Sequence, residues 1–262
     1  MAITTKEFSG CWTVILGGSS GFGLAALEKL ASHGMNIALL YREMAGMEKK
    51  LIVRLDELER KHDIKIIPLN SNALTEEGQA VFLDRFRKTV KDKRCVRLLL
   101  HSIARGNLKS LDSLTSQDIW HTTYAMGTSM LDWAKLLLKE ELFQADARII
   151  GLTSEGAHKY WEGYGAVSIA KASLESLSSY MAVELAGHGI KTNLIQAGIA
   201  DTPSLKKIPG SQELLTHAAK RNPLGRMTRA VDVANVVYLL CKDEAAWING
   251  ALIHVDGGEH CR

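Results

Sequence analysis

Thr13-Val14-Ile15-Leu16-Gly17-Gly18-Ser19-Ser20-Gly21-Phe22-Gly23 reads as a buried β-strand that runs straight into a glycine-rich turn. The residues after the turn, with Leu24, Leu27 and Leu30 at helical spacing, form a helix that Gly34 closes at its C-terminal cap. Glycine removes the Cβ where a backbone must turn tightly and approach a pyrophosphate. The helix that follows offers free N–H groups and the positive end of its dipole to the same anion. A glycine turn taken alone is only a tight connection. Its place at the first strand–helix junction is where a dinucleotide site belongs.

Outward from this turn the same alternation repeats. Strands are read at Ile37–Leu40, Ile64–Leu69, Arg97–Leu100, Ala147–Leu152, Lys191–Ile195 and Ala251–Val255. Between them lie a charged helix with Met47, Leu51, Leu55 and Leu58 on one side, a helix capped by Thr75, and one long helix from Gln117 to Glu141. Another helix follows Tyr164 and ends near Gly187-His188-Gly189, and a last one spans Val231–Cys241. Strands separated by helices pair in parallel through crossovers. The expected fold is therefore α/β, a Rossmann-type doubly wound seven-stranded parallel sheet with helices on both faces, in one domain covering residues 1–262.

The bulk composition agrees with a globular enzyme. Hydrophobic residues make up 46% and charged residues 23%, and the net charge of +3 gives no reason to expect nucleic acid. Met1–Gly10 is polar with both charge signs, unlike a signal peptide, and no apolar run approaches the ~20 residues of a membrane helix. Cys11, Cys95, Cys241 and Cys261 show no paired spacing, and the nine histidines show no metal-ligand spacing. Reduced thiols, a cytoplasmic location and no metal are the resulting expectations.

The end of the second strand selects the cofactor. A carboxylate there would repel a 2′-phosphate, whereas Tyr41-Arg42 presents a guanidinium that suits one, so NADPH is expected ahead of NADH. Glu43 should point along the start of the next helix. Of Asn70-Ser71-Asn72 after the third strand, Ser71 and Asn72 are candidates for the adenine end, although the sequence does not choose among the three. Ser102, Ile103 and Ala104 follow the fourth strand beside His101, which is read as a hydrogen-bonding wall.

Lys171 lies early in the helix after the fifth strand. Four residues before it stands Val167, which has no proton to give; seven before it stands Tyr164. The Tyr164-x6-Lys171 spacing, His101-Ser102-Ile103-Ala104, Gly198-x-x-x-Thr202 and the closing Ile253-His254-Val255-Asp256-Gly257-Gly258 make the chain resemble a short-chain dehydrogenase/reductase of the divergent enoyl-acyl-carrier-protein reductase branch. Leu16 replaces the threonine common before the first glycine, and Ser154 stands where better-known members carry a second tyrosine. The resemblance implies an NADPH-dependent reductase of trans-2-enoyl thioesters carried on acyl carrier protein, and a homotetramer. It implies Tyr164 as proton donor, Lys171 on the nicotinamide ribose lowering the tyrosine's pKa, and Ser154 as helper. It assigns Gly17, Ser19, Ser20, Gly21, Phe22, Gly23, Gly198, Ile199 and Thr202 to the cofactor.

The shifted tyrosine has a chemical reason. Hydride delivered to the β-carbon of a conjugated thioester leaves charge on an oxygen displaced from the reduced carbon. Three extra residues move a helical tyrosine by about 4.5 Å. A carbonyl or 3-oxoacyl reductase, and a dinucleotide-binding sensor without chemistry, stay open beside this reading. Tyr160 is read as a pocket wall, and Trp120, Trp133 and Tyr124 as core or subunit contacts. Residues 200–222, with Pro203, Pro209 and Gly210, are read as a flexible substrate lid. Lys206, Lys207, Lys220, Arg221, Arg226 and Arg229 are read as a basic rim that could receive acyl carrier protein, or equally as solvated surface.

Overall fold

The structure is a computed structural model that describes residues 6–262; residues 1–5 of the polar N-terminal stretch lie outside the described residues. Seven strands, β1 (Trp12–Leu16), β2 (Asn36–Tyr41), β3 (Ile66–Asn70), β4 (Val96–His101), β5 (Phe143–Ser154), β6 (Lys191–Ala197) and β7 (Leu252–Val255), form one sheet in the order β3-β2-β1-β4-β5-β6-β7. Every pairing is parallel. The chain reverses its winding between β1 and β4, which opens a crevice at the carboxyl ends of those strands.

Alternation along the strands divides the interior in two. Val14 and Leu16 of β1 and Leu99 of β4 join Phe82 and Phe86 of α3 (Glu76–Thr89), Met130 and Trp133 of α5 (Ser129–Lys139) and Leu174 of α6 (Gly165–Glu184). Ile15, Leu98 and Leu100 face the other way, onto Leu27 and Leu30 of α1 (Gly21–Ser32), Leu51 and Leu55 of α2 (Ala45–His62) and Val233 and Val237 of α8 (Ala230–Cys241). The strands are apolar on both sides because helices cover both faces. Thr75 caps α3, its hydroxyl accepting the Gly78 N–H at 3.2 Å. No helix among the described residues is long and apolar enough to cross a membrane.

Three sequence expectations change. The long helix read over 117–141 is α4 (Ser116–Thr123) and α5 joined by a π turn at Tyr124–Thr128, which apolar periodicity alone does not reveal. Within it Trp133 is core, its indole N–H donating to the Ala73 carbonyl at 2.7 Å, while Trp120 is exposed and stacks on Tyr124. The stretch expected to lack regular structure holds α7 (Ser211–Arg221), since its prolines stop short of Ser211. Met47 of the α2 stripe is exposed, and the buried part of the stripe begins at Leu51.

Candidate active site

The glycine turn brings three chain segments into backbone contact. Gly17 has φ of +84°, and a Cβ there would lie 2.8 Å from the Ser102 carbonyl oxygen; one on Gly23 would lie 2.3 Å from the Gly17 carbonyl oxygen. No other residue type allows this approach. The Ser102 N–H donates to the Leu16 carbonyl at 2.9 Å, so the segment Ser102-Ile103-Ala104 is held across the crevice from β1. Ser20 precedes α1 in extended conformation and its side chain makes no capping bond. The first turn of α1 is therefore left to an outside acceptor. Ser19 is half-buried in the turn, Phe22 packs its ring toward the α1-side core, and Gly21 faces the Thr202 methyl group.

At the other end of the crevice Arg42 is exposed and has no ion-pair partner among the described residues. Asn70 closes on the Glu43 backbone instead, accepting its N–H at 3.1 Å and donating to its carbonyl at 2.9 Å. That use removes Asn70 from the three polar candidates and leaves Ser71 and Asn72. Asn72 accepts the Leu74 N–H at 3.3 Å, and its amide NH₂ and the second lone pair of its oxygen stay open.

Tyr164 is the residue that enters α6, and its hydroxyl lies 3.2 Å from the Ser154 hydroxyl at the end of β5. Val167, at the position a shorter spacing would give the acid, is buried against Ala125, Met126 and Ala170. Lys171 is 5% exposed and donates to the Leu152 carbonyl at 2.7 Å and the Met126 carbonyl at 3.3 Å. An ammonium has three N–H donors, so one remains for a ligand. The Met126 carbonyl sits in the π turn, whose wider winding leaves a carbonyl outside the regular helix ladder.

Burial pushes the Lys171 ammonium down to about 8, and Glu175, one turn further along α6, partly opposes the shift. Glu175 is itself held by the Thr153 hydroxyl at 2.6 Å and by His158 at 2.7 Å. The Tyr164 phenol is raised by burial, with only the Ser154 hydrogen bond acting against it. Burial, and not the Lys171 ammonium expected to lower it, sets the direction of this shift. His101 is buried, contacts the Ser129 hydroxyl at 2.9 Å and is pushed down to about 3 by burial and then Lys171. It is a neutral core residue and not a pocket wall. Tyr160 is 89% exposed, so it does not line the site either; Trp161 instead donates to the Pro209 carbonyl at 2.9 Å, tying this loop to residues 200–222.

Sequence reasoning missed Gly156. A Cβ there would lie 2.4 Å from Tyr164 Cε1, so the glycine makes room for the phenol ring. It also missed Glu259, whose carboxylate accepts the Ile199 N–H at 3.2 Å. With the Ile199 carbonyl taking the Thr228 N–H at 3.1 Å, both backbone groups of this predicted cofactor residue are engaged internally. Gly198 is packed against Thr228, Asp256 and Glu259 and leaves no room for a side chain, while Thr202 is buried and accepts the Leu205 N–H at 3.2 Å. The basic rim is thinner than it reads. Lys206 pairs with Asp201, Arg226 with Asp232, and Arg221 with Glu155, leaving Lys207, Lys220 and Arg229 without an ion pair among the described residues.

Comparison with known proteins agrees with this geometry. Residues 17–260 match the family model for enoyl-(acyl carrier protein) reductase. The enoyl-[acyl-carrier-protein] reductase [NADPH] FabI of Staphylococcus aureus is 30% identical over 254 residues, 92% of each chain. The [NADH] FabI of Aquifex aeolicus is 39% identical over 112 residues, 43% of this chain and 42% of that protein. The 3-oxoacyl-[acyl-carrier-protein] reductase FabG of Aquifex aeolicus is 26% identical, covering 96% of this chain and 98% of that one. In fold, the crystal structure of the Aquifex aeolicus enoyl reductase superposes with a TM-score of 0.83 at 24% identity, covering 97% and 98% of the two chains.

The chain belongs to the enoyl-acyl-carrier-protein reductase branch of the short-chain dehydrogenase/reductase family. It is an oxidoreductase of that family, which implies a nicotinamide dinucleotide. The site fits one: the uncapped first turn of α1 suits phosphate, and the third N–H of Lys171 suits a ribose hydroxyl.

Proposed function

We propose that the chain is an NADPH-dependent trans-2-enoyl thioester reductase of acyl-chain biosynthesis. The observation that carries this reading is the acid's position. Tyr164 stands beside Ser154 at the mouth of α6, and the alternative position, Val167, is locked in the core. Bound NADPH supplies the hydride that the β-carbon of the enoyl thioester takes up. Tyr164 would donate a hydrogen bond and then its proton to the thioester oxygen as that oxygen becomes an enolate. The enol becomes the saturated thioester as a solvent proton adds at the α-carbon and the oxygen's proton is lost, and the phenolate regains a proton from solvent. Ser154 aims the phenol, and Lys171 holds the nicotinamide ribose with its free N–H. The raised phenol keeps the proton until charge develops on the substrate.

Gly17, Ser19, Ser20, Gly21, Phe22 and Gly23 hold the pyrophosphate, Ser71 and Asn72 the adenine end, Ser102 to Ala104 the middle, and Gly198 to Thr202 the nicotinamide. Arg42 selects the phosphorylated cofactor, and Arg42→Asp should weaken NADPH far more than NADH; equal use of both cofactors by the parent sinks this assignment. Residues 200–222 form the substrate lid, and exposed Tyr180, Val183 and Trp247 supply apolar surface for a homotetramer, which light scattering tests.

The decisive experiment compares crotonyl and acetoacetyl thioesters by NADPH oxidation. Preference for crotonyl supports the proposal. Preference for acetoacetyl makes the chain a 3-oxoacyl reductase, the activity named for the FabG relative. No turnover of either leaves a nucleotide-binding protein without this chemistry.

A further inference from the structure

At the end of β7, outside the Tyr164–Lys171 pair, three side chains converge that looked scattered in sequence. His254, Asp256 and His260 each place a ligand-type atom within 4.8 Å of the other two, the one such trio among the described residues. The two imidazole rings stack with centroids 3.8 Å apart and planes inclined by 21°. Asp256 is buried, and its Oδ1 accepts the Gly258 N–H at 2.9 Å. Its Oδ2 accepts the His260 backbone N–H at 2.9 Å and faces His260 Nδ1 at 2.7 Å. A ring held this way turns Nε2 outward, and Cys261 Sγ lies 3.4 Å from that nitrogen. A cavity of about 420 Å³, lined by His254, Asp256 and His260 together with Asn222 and Arg226, opens over the group.

A carboxylate behind an imidazole is the arrangement that orients a metal-bound histidine and sharpens its outer nitrogen as a ligand. Nitrogen and sulfur donors suit zinc rather than magnesium or calcium, which take oxygen. Tetrahedral zinc with Zn–N of about 2.05 Å and Zn–S of about 2.3 Å sets those two ligands about 3.5 Å apart, close to the spacing of His260 Nε2 and Cys261 Sγ. His254 is exposed and has a ligand-type nitrogen within 4.8 Å of those of Asp256 and His260, and turning its ring off the His260 face would aim it at the same ion.

We propose that His254, His260 and Cys261 bind a zinc-class dication at the end of β7, with Asp256 orienting His260 from behind. The ion joins β7 to the short turn Glu259–Cys261. That turn carries Glu259, which holds the Ile199 N–H, while the Asp256 carbonyl accepts from Asn222 at 2.6 Å at the end of the lid segment. The role is structural: the ion braces the turn on which the nicotinamide-side loop rests.

The test uses the full chain without a histidine tag, stripped by chelator and titrated with Zn(II) and, separately, Co(II). One ion per chain, a melting temperature that rises with zinc by mass action, and a cobalt–thiolate charge-transfer band lost in Cys261→Ser support the site. His254→Gln and His260→Gln should each weaken zinc by at least about tenfold, with circular dichroism unchanged. If His260→Gln fails to fold, exposed His254→Gln carries the same comparison alone. Zinc uptake below one per chain, equal affinity in the His254→Gln chain, or absence of the thiolate band overturns the proposal.

Discussion

The floor of the site and the segment above it are held by different means. On the floor, Lys171 is buried and fastened to the carbonyls of Leu152 and Met126, and Tyr164 rests on Ser154 with its ring fitted over Gly156. Main-chain anchors on a strand end and a π turn do not move unless the fold moves. Residues 200–222 are attached through side chains instead: Trp161 to the Pro209 carbonyl, Arg221 to Glu155, and Asn222 to the Asp256 carbonyl. A few side-chain ties can open without disturbing the core. The difference teaches where to look for chemistry and where for access: changes to the floor should appear in kcat, and changes to the upper segment in KM.

The sharpest way to break that division is at the acid. Tyr164→Phe should reduce turnover by about 10²–10⁴-fold with NADPH affinity nearly unchanged, because only the developing enolate loses its donor. Lys171→Met should lower turnover and NADPH affinity together, read by stopped-flow kinetics and fluorescence titration. Near-normal turnover in Tyr164→Phe removes the assignment.

Next in size comes Gly156→Ala. Its methyl would overlap the Tyr164 ring, so the ring must shift, and a displacement of ~1 Å at the reacting group costs about 10²-fold in rate. Melting temperature should fall little, since Gly156 sits in the short turn Glu155–Ala157, which has no buried residue. A loss of folding without a selective loss of kcat would place this glycine in the scaffold.

The buried ammonium predicts two opposite pH responses. Folded Lys171 loses its proton near about 8, against the ordinary 10.5 of the unfolded chain. Between those values the unfolded state binds more protons, so this group's contribution to stability rises with pH over that window. NADPH affinity should fall over the same window, because the neutral amine no longer holds the ribose as a charged donor. Affinity measured across pH 7–10 on the parent and on Lys171→Met checks this; a parent profile that stays flat contradicts it.

The smallest effect belongs to the rim. Replacing Lys207, Lys220 and Arg229 by Glu should raise KM several-fold for a thioester on acyl carrier protein, with little change for the coenzyme A thioester, and the effect should shrink with salt. Hydrogen exchange over 200–222 should slow when NADPH and an enoyl ligand are added together. Equal response of both thioesters dismisses docking; unchanged exchange dismisses the lid.

Much of this molecule is determined by local sequence. Apolar runs separated by amphipathic helices dictate a parallel sheet, because no other pairing covers both faces of such strands. The glycines at 17 and 23 announce a close backbone approach that a Cβ would forbid, and the one at 21 a left-handed turn. Tyr164 and Lys171 were legible as a pair because their spacing across the start of one helix is a property of the chain itself. Arg42 was legible as a charge at a strand end. The tertiary structure alone decided which polar groups were already taken. Asn70 closed on Glu43, Ile199 on Glu259 and Thr228, and half of the basic rim on Asp201, Glu155 and Asp232. It also decided that desolvation, and not the neighbouring ammonium, controls the Tyr164 phenol, and it gathered His254, Asp256 and His260 into one cluster. The physical reason is common to all of these. Periodicity and glycine act within a few residues, whereas hydrogen-bond partners, burial and charge pairing depend on residues brought together from distant points in the chain.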